Sequence, residues 1–400
     1  MAATAQQSGR QRLPVIAFCF GHMAVDWPHG AIWILAPALA VAMDLSPGEL
    51  GTLFAVTSLG STVTHIPAGM ITDHFGKRGL LFIVTFVWVA LGYAAATMAP
   101  DFWSLTLMLA FAGMGTAAWH PLATGTLTQA MPGKRARILG IHAMGGTMAE
   151  VFAPLLTGVF LTFVDWRTGL GLAVIPAVIM GCVFFALRGR MQVPDHVGAS
   201  MLDMKDLWKR WSSRTGLALV AMISIYNMAI MAVLAMATLY LVNDLGLSTT
   251  VAGFAFAAMI LAGALLQPLM GHLSDRRGRR KVFAGSLLAA APLGLVMPFL
   301  DNPFVAVGCL VGMIGAFYGV RSVVLASAVD FAGKREGTTL GLTFVMMDGI
   351  GALGALLGGL AGDFNLTWAF VLASGFATVS AVIAILSSLA FPVIAPEART

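Results

Sequence analysis

The chain has 400 residues, 58% of them hydrophobic and only 10% charged, with a mean hydropathy of +0.88. A soluble domain carries roughly 25% charged residues, so this composition cannot cover a water-facing surface and excludes a soluble globular protein. The net charge of +5 does not point to nucleic acid, because the basic residues fall in short linkers between apolar runs, where a positive excess sets membrane topology.

Residues up to Arg12 are polar and lead into an apolar run too long for a signal-peptide core, so no cleavage is expected. Charges, Gly/Pro and turn signals divide the chain into predicted spans near residues 13–41, 47–72, 79–99, 103–129, 137–163 and 168–187, then 215–242, 249–273, 282–300, 304–329, 338–362 and 366–391. Such runs are long enough to cross a ~30 Å hydrocarbon core as helices. Ser46-Pro47-Gly48-Glu49 marks one start, with capping-box spacing and proline at the first helical position. The expected fold is therefore all-α: a polytopic membrane protein of twelve transmembrane helices.

With the N-terminus inside, every lysine and arginine lies in a cytoplasmic segment except Arg167, in an external loop, and Arg321, within a span. The short external loops hold Asp44, Asp101, Asp165, Asp244, Asp301 and Asp363. Both termini are expected in the cytoplasm, in a multi-pass protein of the inner (plasma) membrane. The longer internal loop suggests three units: a six-helix bundle over 1–187, a linker over 188–214 and a second six-helix bundle over 215–400. In the linker, MLDMKDLWKRW puts Met204, Trp208 and Trp211 on one helical face, as in an amphipathic helix at the interface or a plain connector. Cys19, Cys182 and Cys309 lie far apart in apolar runs without metal-ligand spacing, and read as small buried hydrophobes.

The halves repeat. GMITDHFGKR (69–78) returns 202 residues later as GHLSDRRGRR (271–280), and Gly133-Lys134-Arg135 returns as Gly333-Lys334-Arg335. Two six-span units of one polarity are the layout of transporters that rock two halves around a central site. The second stretch fits the loop motif G-x-x-x-D-R-x-G-R-R of the major facilitator superfamily at every defining position, and the first departs only at His74. The chain resembles that family over its whole length. The resemblance implies two pseudo-symmetric bundles, monomeric function, no cofactor, and a latch that closes the cytoplasmic side. Its residues here would be Gly69, Asp73, Gly76, Lys77 and Arg78, with Gly271, Asp275, Arg276, Gly278, Arg279 and Arg280. Gly69 and Gly271 would permit close helix approach. Asp73 would sit at the positive end of span eleven, favoured by ~0.3–1 kcal/mol, and His74 should leave the first latch weaker than the second.

A charge at mid-membrane costs at least ~2.5–3.5 kcal/mol, so deep ionisable residues are the functional candidates. His22, Asp26, His29 and Trp33 share one face of span one, placing an imidazole on each side of a carboxylate that could take up and release a proton. His65 before Pro67 and His120 before Pro121 lie where proline frees carbonyls, and could line a site or satisfy those carbonyls. His142 reads as interfacial. Glu150 lies near mid-depth of span five. Downstream, Ala153-Pro154-x-x-Thr157-Gly158 resembles a degraded form of the G-P-x-x-G-G motif of drug/proton antiporters.

In the second half the deep charges are Arg321, opposite His120 in the repeat, and Asp348, opposite the stretch just before Glu150. Arg321 stays charged and needs an anion: Asp348 permanently, or an acidic solute that displaces it. Tyr226 and Asn227 are candidate polar liners. Gly354, Gly358 and Gly362 form a ridge for helix packing, and no phosphate-binding loop accompanies them, so ATP is not the expected energy source.

His22-x-x-x-Asp26 together with Gly115 and His120-Pro121 resembles the fosmidomycin-resistance group of efflux proteins, although Leu122 stands where that group usually has an acidic residue. The resulting expectation is a proton-coupled secondary transporter of a small organic, anionic solute, exporting it against protons. Proton-symport uptake of an organic acid is the alternative. A metal carrier using His22, Asp26, His65 and His120 is a third reading. An intramembrane enzyme would need a nucleophile–base pair or a dense histidine motif, and neither stands out.

Overall fold

The computed structural model describes residues 14–387 apart from 76, 132–134, 192–204, 206–207 and 333–335. The first half comprises α1 (Val15–Met43), α2 (Pro47–His74), α3 (Arg78–Ala96), α4 (Phe102–Ala130), α5 (Arg135–Phe160) and α6 (Trp166–Leu187). The second comprises α7 (Arg214–Leu239), α8 (Thr249–Arg277) and α9 (Arg279–Leu295), then two broken spans and α12 (Thr367–Leu386). Span ten is α10a (Pro303–Gly319) and α10b (Arg321–Ala332); span eleven is α11a (Glu336–Val345), a π-helical turn (Met346–Ile350) and α11b (Leu353–Gly362). Eleven of the twelve spans are long and apolar enough to cross a membrane. The other, α2, carries Thr57, Ser58, Ser61, Thr62, Thr64 and His65 through its middle, which lowers its hydropathy.

Short side-chain caps start many of these helices. Ser46 Oγ accepts from the Glu49 amide and the Glu49 carboxylate accepts from the Ser46 amide, the capping box expected from the sequence. Asp101 forms a second capping box with Ser104 at α4, and Asp165, Ser213 and Ser248 each accept one backbone amide at the starts of α6, α7 and α8.

We call the end where the chain enters at 14 and leaves at 387 basal, and the other apical. The halves meet most closely toward the apical end, through two helix pairs related by the repeat. In one, α2 crosses α11b at Gly51 and Gly359; in the other, α5 crosses α8 at Gly158 and Gly253. A Cβ on Gly51 would lie 2.9 Å from the Gly359 Cα, and one on Gly158 would lie 3.3 Å from the Gly253 Cα. Only a residue without a side chain allows this approach. The Gly48 amide at the start of α2 donates to Asp363 Oδ1 at 2.7 Å, binding a second-half carboxylate to a first-half helix N-terminus. Beneath these crossings Trp33 is sandwiched between the repeat-related Phe54 and Phe256, with ring centroids 4.4 and 6.4 Å away. The expected glycine ridge packs as predicted, with Gly354 against the Met228 backbone and Gly358 against Ala232.

At the basal end Gly278 has φ +89°, a conformation that L side chains rarely adopt, which explains glycine at that motif position. Gly69 and Gly271 do not mediate the close approach expected of them. Cβ atoms there would meet Pro121 at 3.8 Å and Ser322 at 3.4 Å, ordinary contacts. The close approach falls instead at Gly79, against the backbone of Arg188. Buried Arg78 donates to Gln129 Oε1 at 2.7 Å and Thr126 Oγ1 at 3.4 Å, whereas Arg279 pairs with Asp330 at 2.5 Å and Asp275 at 3.3 Å. Arg276 and Arg280 stand in the same basic turn. Gly76 and the side chain of Asp73 lie outside the described residues.

Two further expectations need correction. Trp208 and Trp211 lie in one helical turn but differ in burial: Trp211, just before the turn into α7, is 3% exposed against Phe331, while Trp208 is 74% exposed. Met204 lies outside the described residues. Cys182 is exposed on the outer surface of α6, unlike buried Cys19 and Cys309.

Candidate functional site

The deep ionisable residues converge from both halves on the middle of the molecule. On α1, Asp26 Oδ2 lies 3.1 Å from His22 Nε2, and Asp26 Oδ1 lies 3.8 Å from His120 Nε2 on α4. Asp26 is therefore flanked by two imidazoles, but only one comes from its own helix. His29 packs edge-on against Trp33 at 5.8 Å, and the place expected for it beside Asp26 is taken by His120. Pro121 follows His120 within α4, and the His120 Nε2 faces the Asp26 carboxylate rather than a freed carbonyl.

His142 is buried, not interfacial. Its ring stacks on His22 with centroids 4.3 Å apart, and its carbonyl lies 2.9 Å from His22 Nδ1. That contact assigns the His22 Nδ1 as donor to the carbonyl and leaves Nε2 to face Asp26. Gly146, one turn further on α5, has room for no side chain: a Cβ would meet the His22 ring at 2.8 Å and Asp26 Oδ2 at 3.4 Å. His142 and Gly146 thus set the His22–Asp26 geometry. The sequence showed His142 as a histidine near the end of span five, and nothing in it singled out Gly146.

Among the described residues two ion pairs cross between the halves, and neither is the Arg321–Asp348 pair weighed from the sequence. His65 Nε2 of α2 lies 3.0 Å from Asp348 Oδ2, and Arg321 Nη1 of α10b lies 3.8 Å from Glu150 Oε1 of α5. The breaks in the second half explain the exchange. Span ten is interrupted at Val320, so Arg321 starts a new helix, and the π-helical turn in span eleven rotates Asp348 toward α2. Arg321 and Glu150 remain 29% and 38% exposed at mid-depth, which places both in a cleft between the halves.

Tyr226 and Asn227, the candidate polar liners, are both buried and both donate to backbone carbonyls. Tyr226 is fully buried and its hydroxyl donates to the Phe317 carbonyl at 2.7 Å, just before the break in span ten. Asn227 Nδ2 donates to the Met347 carbonyl at 2.6 Å, holding the turn that carries Asp348. Donor atoms of His22, Asp26 and His120 all lie within 4.8 Å of one another, a set that could hold a metal ion. The 3.1 Å His22–Asp26 separation is equally that of a direct hydrogen-bonded pair.

The repeat relates these groups across the molecule. At an offset of 201 residues Asp26 corresponds to Asn227 and His120 to Arg321. The first half holds a titratable carboxylate and imidazole where the second holds a neutral amide and a fixed cation.

The comparisons with known proteins agree with this architecture. A family model described as Major Facilitator Superfamily matches residues 18–240 and 217–400. The chain is 27% identical to the uncharacterized MFS-type transporter YfnC of Bacillus subtilis, over 91% of this chain and 90% of the relative. It is 24% identical to the fosmidomycin resistance protein of Escherichia coli, over 87% and 86% respectively. Its fold matches a bacterial homolog to the human lysosomal transporter Spinster, in an inward-facing and unoccupied conformation, at a TM-score of 0.77 and 16% identity, covering 95% of this chain and 98% of the other. Two bundles joined along repeat-related helices, buried charges meeting between them and a family match running from residue 18 to 400 lead to one conclusion: the chain belongs to the Major Facilitator Superfamily of membrane transporters.

Proposed function

We propose that the chain is a proton-coupled transporter of a small organic anion, working by alternating access in the inner membrane as a monomer with its basal end in the cytoplasm. The observation that carries this reading is the Arg321–Glu150 pair, which joins the halves inside the cleft at a single 3.8 Å contact. Arg321 remains a cation throughout the cycle. An anionic solute that reaches it displaces Glu150, and a carboxylate left in a poorly hydrated cleft without its cation is costly to keep ionised. Glu150 then takes a proton. Proton and anion binding favour each other, so both travel in the same direction.

This linkage supports proton symport, the alternative drawn from the sequence, over antiport. Export against protons keeps the support of the likeness to the fosmidomycin resistance protein and of the span-five motif. Asp26, with His22 and His120, provides a second protonation site in the first half. The His65–Asp348 pair would join the halves when the cleft is empty.

The direction of proton movement tests the coupling. Adding an organic anion to proteoliposomes without a membrane potential should make the outer medium more alkaline under symport and more acid under antiport, read with a pH electrode. Arg321→Ala should remove both the pH change and solute binding. Asp26→Asn should lower gradient-driven flux at least about tenfold, one pH unit's worth of driving force, while solute exchange persists. Full gradient-driven flux in Asp26→Asn would remove that residue from the coupling path.

A further inference from the structure

The outer surface of the second half contains a groove. About 600 Å³ in volume, it lies between α8, α9 and α10a. Its floor is made of small residues, including Gly285, Ala289, Gly312 and Ala316, and Leu266 and Leu293 stand among its walls. Arg277 and Lys281 line its basal mouth. Arg279, between them, engages Asp275 and Asp330, so among the described residues Arg277 and Lys281 have no acidic partner.

The burial patterns of α3 and α9 superpose at an offset of 201, with Phe82 matching Phe283 and Val89 matching Ala290. In that register Trp88 corresponds to Ala289, and on the neighbouring helices Phe111 corresponds to Gly312. In the first half these two large side chains pack together, with centroids 5.3 Å apart and the Trp88 indole donating to the Phe111 carbonyl at 2.8 Å. The first half therefore fills with its own aromatics the position that the second half leaves hollow. The mouth differs in parallel: Leu80 stands opposite Lys281, and Phe75 stands opposite Arg277 at the offset of 202 that relates α2 to α8.

From Lys281 to Leu293 the groove follows α9 for about 18 Å at the helical rise, close to one leaflet of a ~30 Å hydrocarbon core. Length, apolar walls and a basic mouth at the membrane surface together specify the ligand. We propose that this groove binds one acyl chain of an anionic phospholipid, whose headgroup phosphate lies between Arg277 and Lys281. A zwitterionic lipid offers the same chain but brings its own cation, and gains less at the mouth.

Native mass spectrometry of the full-length protein in detergent, titrated with phosphatidylglycerol or phosphatidylcholine of the same chain length, tests this. Wild type should retain phosphatidylglycerol with about thirtyfold preference, on the order expected for two surface cations. Arg277→Gln with Lys281→Gln should abolish the preference without loss of folding, since both side chains are exposed. Ala289→Trp with Gly312→Phe, which copies the first half, should remove one bound lipid per molecule. If the filled variant fails to fold, the charge variant decides the question by itself. Equal retention of the two lipids by wild type, or an unchanged preference in Arg277→Gln/Lys281→Gln, overturns the proposal, as does displacement of the lipid by inorganic phosphate alone. Solute transport enters neither readout, so this outcome is independent of the coupling tests.

Discussion

In Glu150→Gln, accumulation of an organic anion driven by a pH gradient should disappear while exchange of the same anion across the membrane continues. With one proton carried per monoanion, each pH unit of gradient sustains about tenfold accumulation, since one unit is worth about 1.4 kcal/mol. The glutamine variant should give none. Glu150 approaches Arg321 at 3.8 Å across the halves, and glutamine keeps its size but neither competes for the cation nor takes up a proton. Solute affinity should also lose its pH dependence, because Arg321 is always available. Radiolabelled uptake with and without an imposed gradient, alongside counterflow, measures both quantities. Tenfold accumulation retained in this variant would place the coupling carboxylate elsewhere, with Asp26 the next candidate.

Gly359→Val should shift the molecule away from the conformation described here. A side chain at Gly359 meets the Gly51 Cα at 2.9 Å and the carbonyl of Pro47, backbone atoms that cannot turn aside. Overpacking of this kind costs about 1–3 kcal/mol, which moves a two-state equilibrium about 5- to 150-fold. The strain is relieved when α2 and α11b separate, so the apical end should open. Ala355→Cys, placed in a background without Cys19, Cys182 and Cys309, reports on this directly. Ala355 is 1% exposed and its carbonyl faces Gly51. Its labelling by a membrane-impermeant maleimide should accelerate with Gly359→Val, and transport should fall because the closed apical state is rarely reached. Unchanged labelling with normal transport would mean that the crossing does not gate the apical side.

The Gly51–Gly359 and Gly158–Gly253 crossings also show what the repeat contains. Each pair exchanges into the other at offsets of 202 and 201, so one ancestral geometry supplies both contacts. That relation was open to sequence reading but overshadowed by the charged basal motif, whose glycines at 69 and 271 prove loosely packed. The aligned histidines and carboxylates were identifiable because charge at depth is costly and therefore rare. Their pairing was not. Arg321 and Asp348 fall near each other in the repeat pattern, yet a break at Val320 and a π-helical turn at Met346–Ile350 direct them to different partners in the opposite half.

Length, hydropathy and the alternation of basic and acidic loops determined on their own that this chain crosses a bilayer in twelve helical spans, and the doubled motif determined that it does so as two related bundles. Those properties are local: they depend on the transfer cost of each segment and on spacing along one strand of sequence. Only the tertiary structure decided that His120 rather than His29 completes the Asp26 site, that His142 orders it from behind, and that Glu150 answers Arg321. A buried charge fixes the need for a partner, but the partner is chosen by helix crossing and rotation, and these follow from where backbones can approach across hundreds of residues.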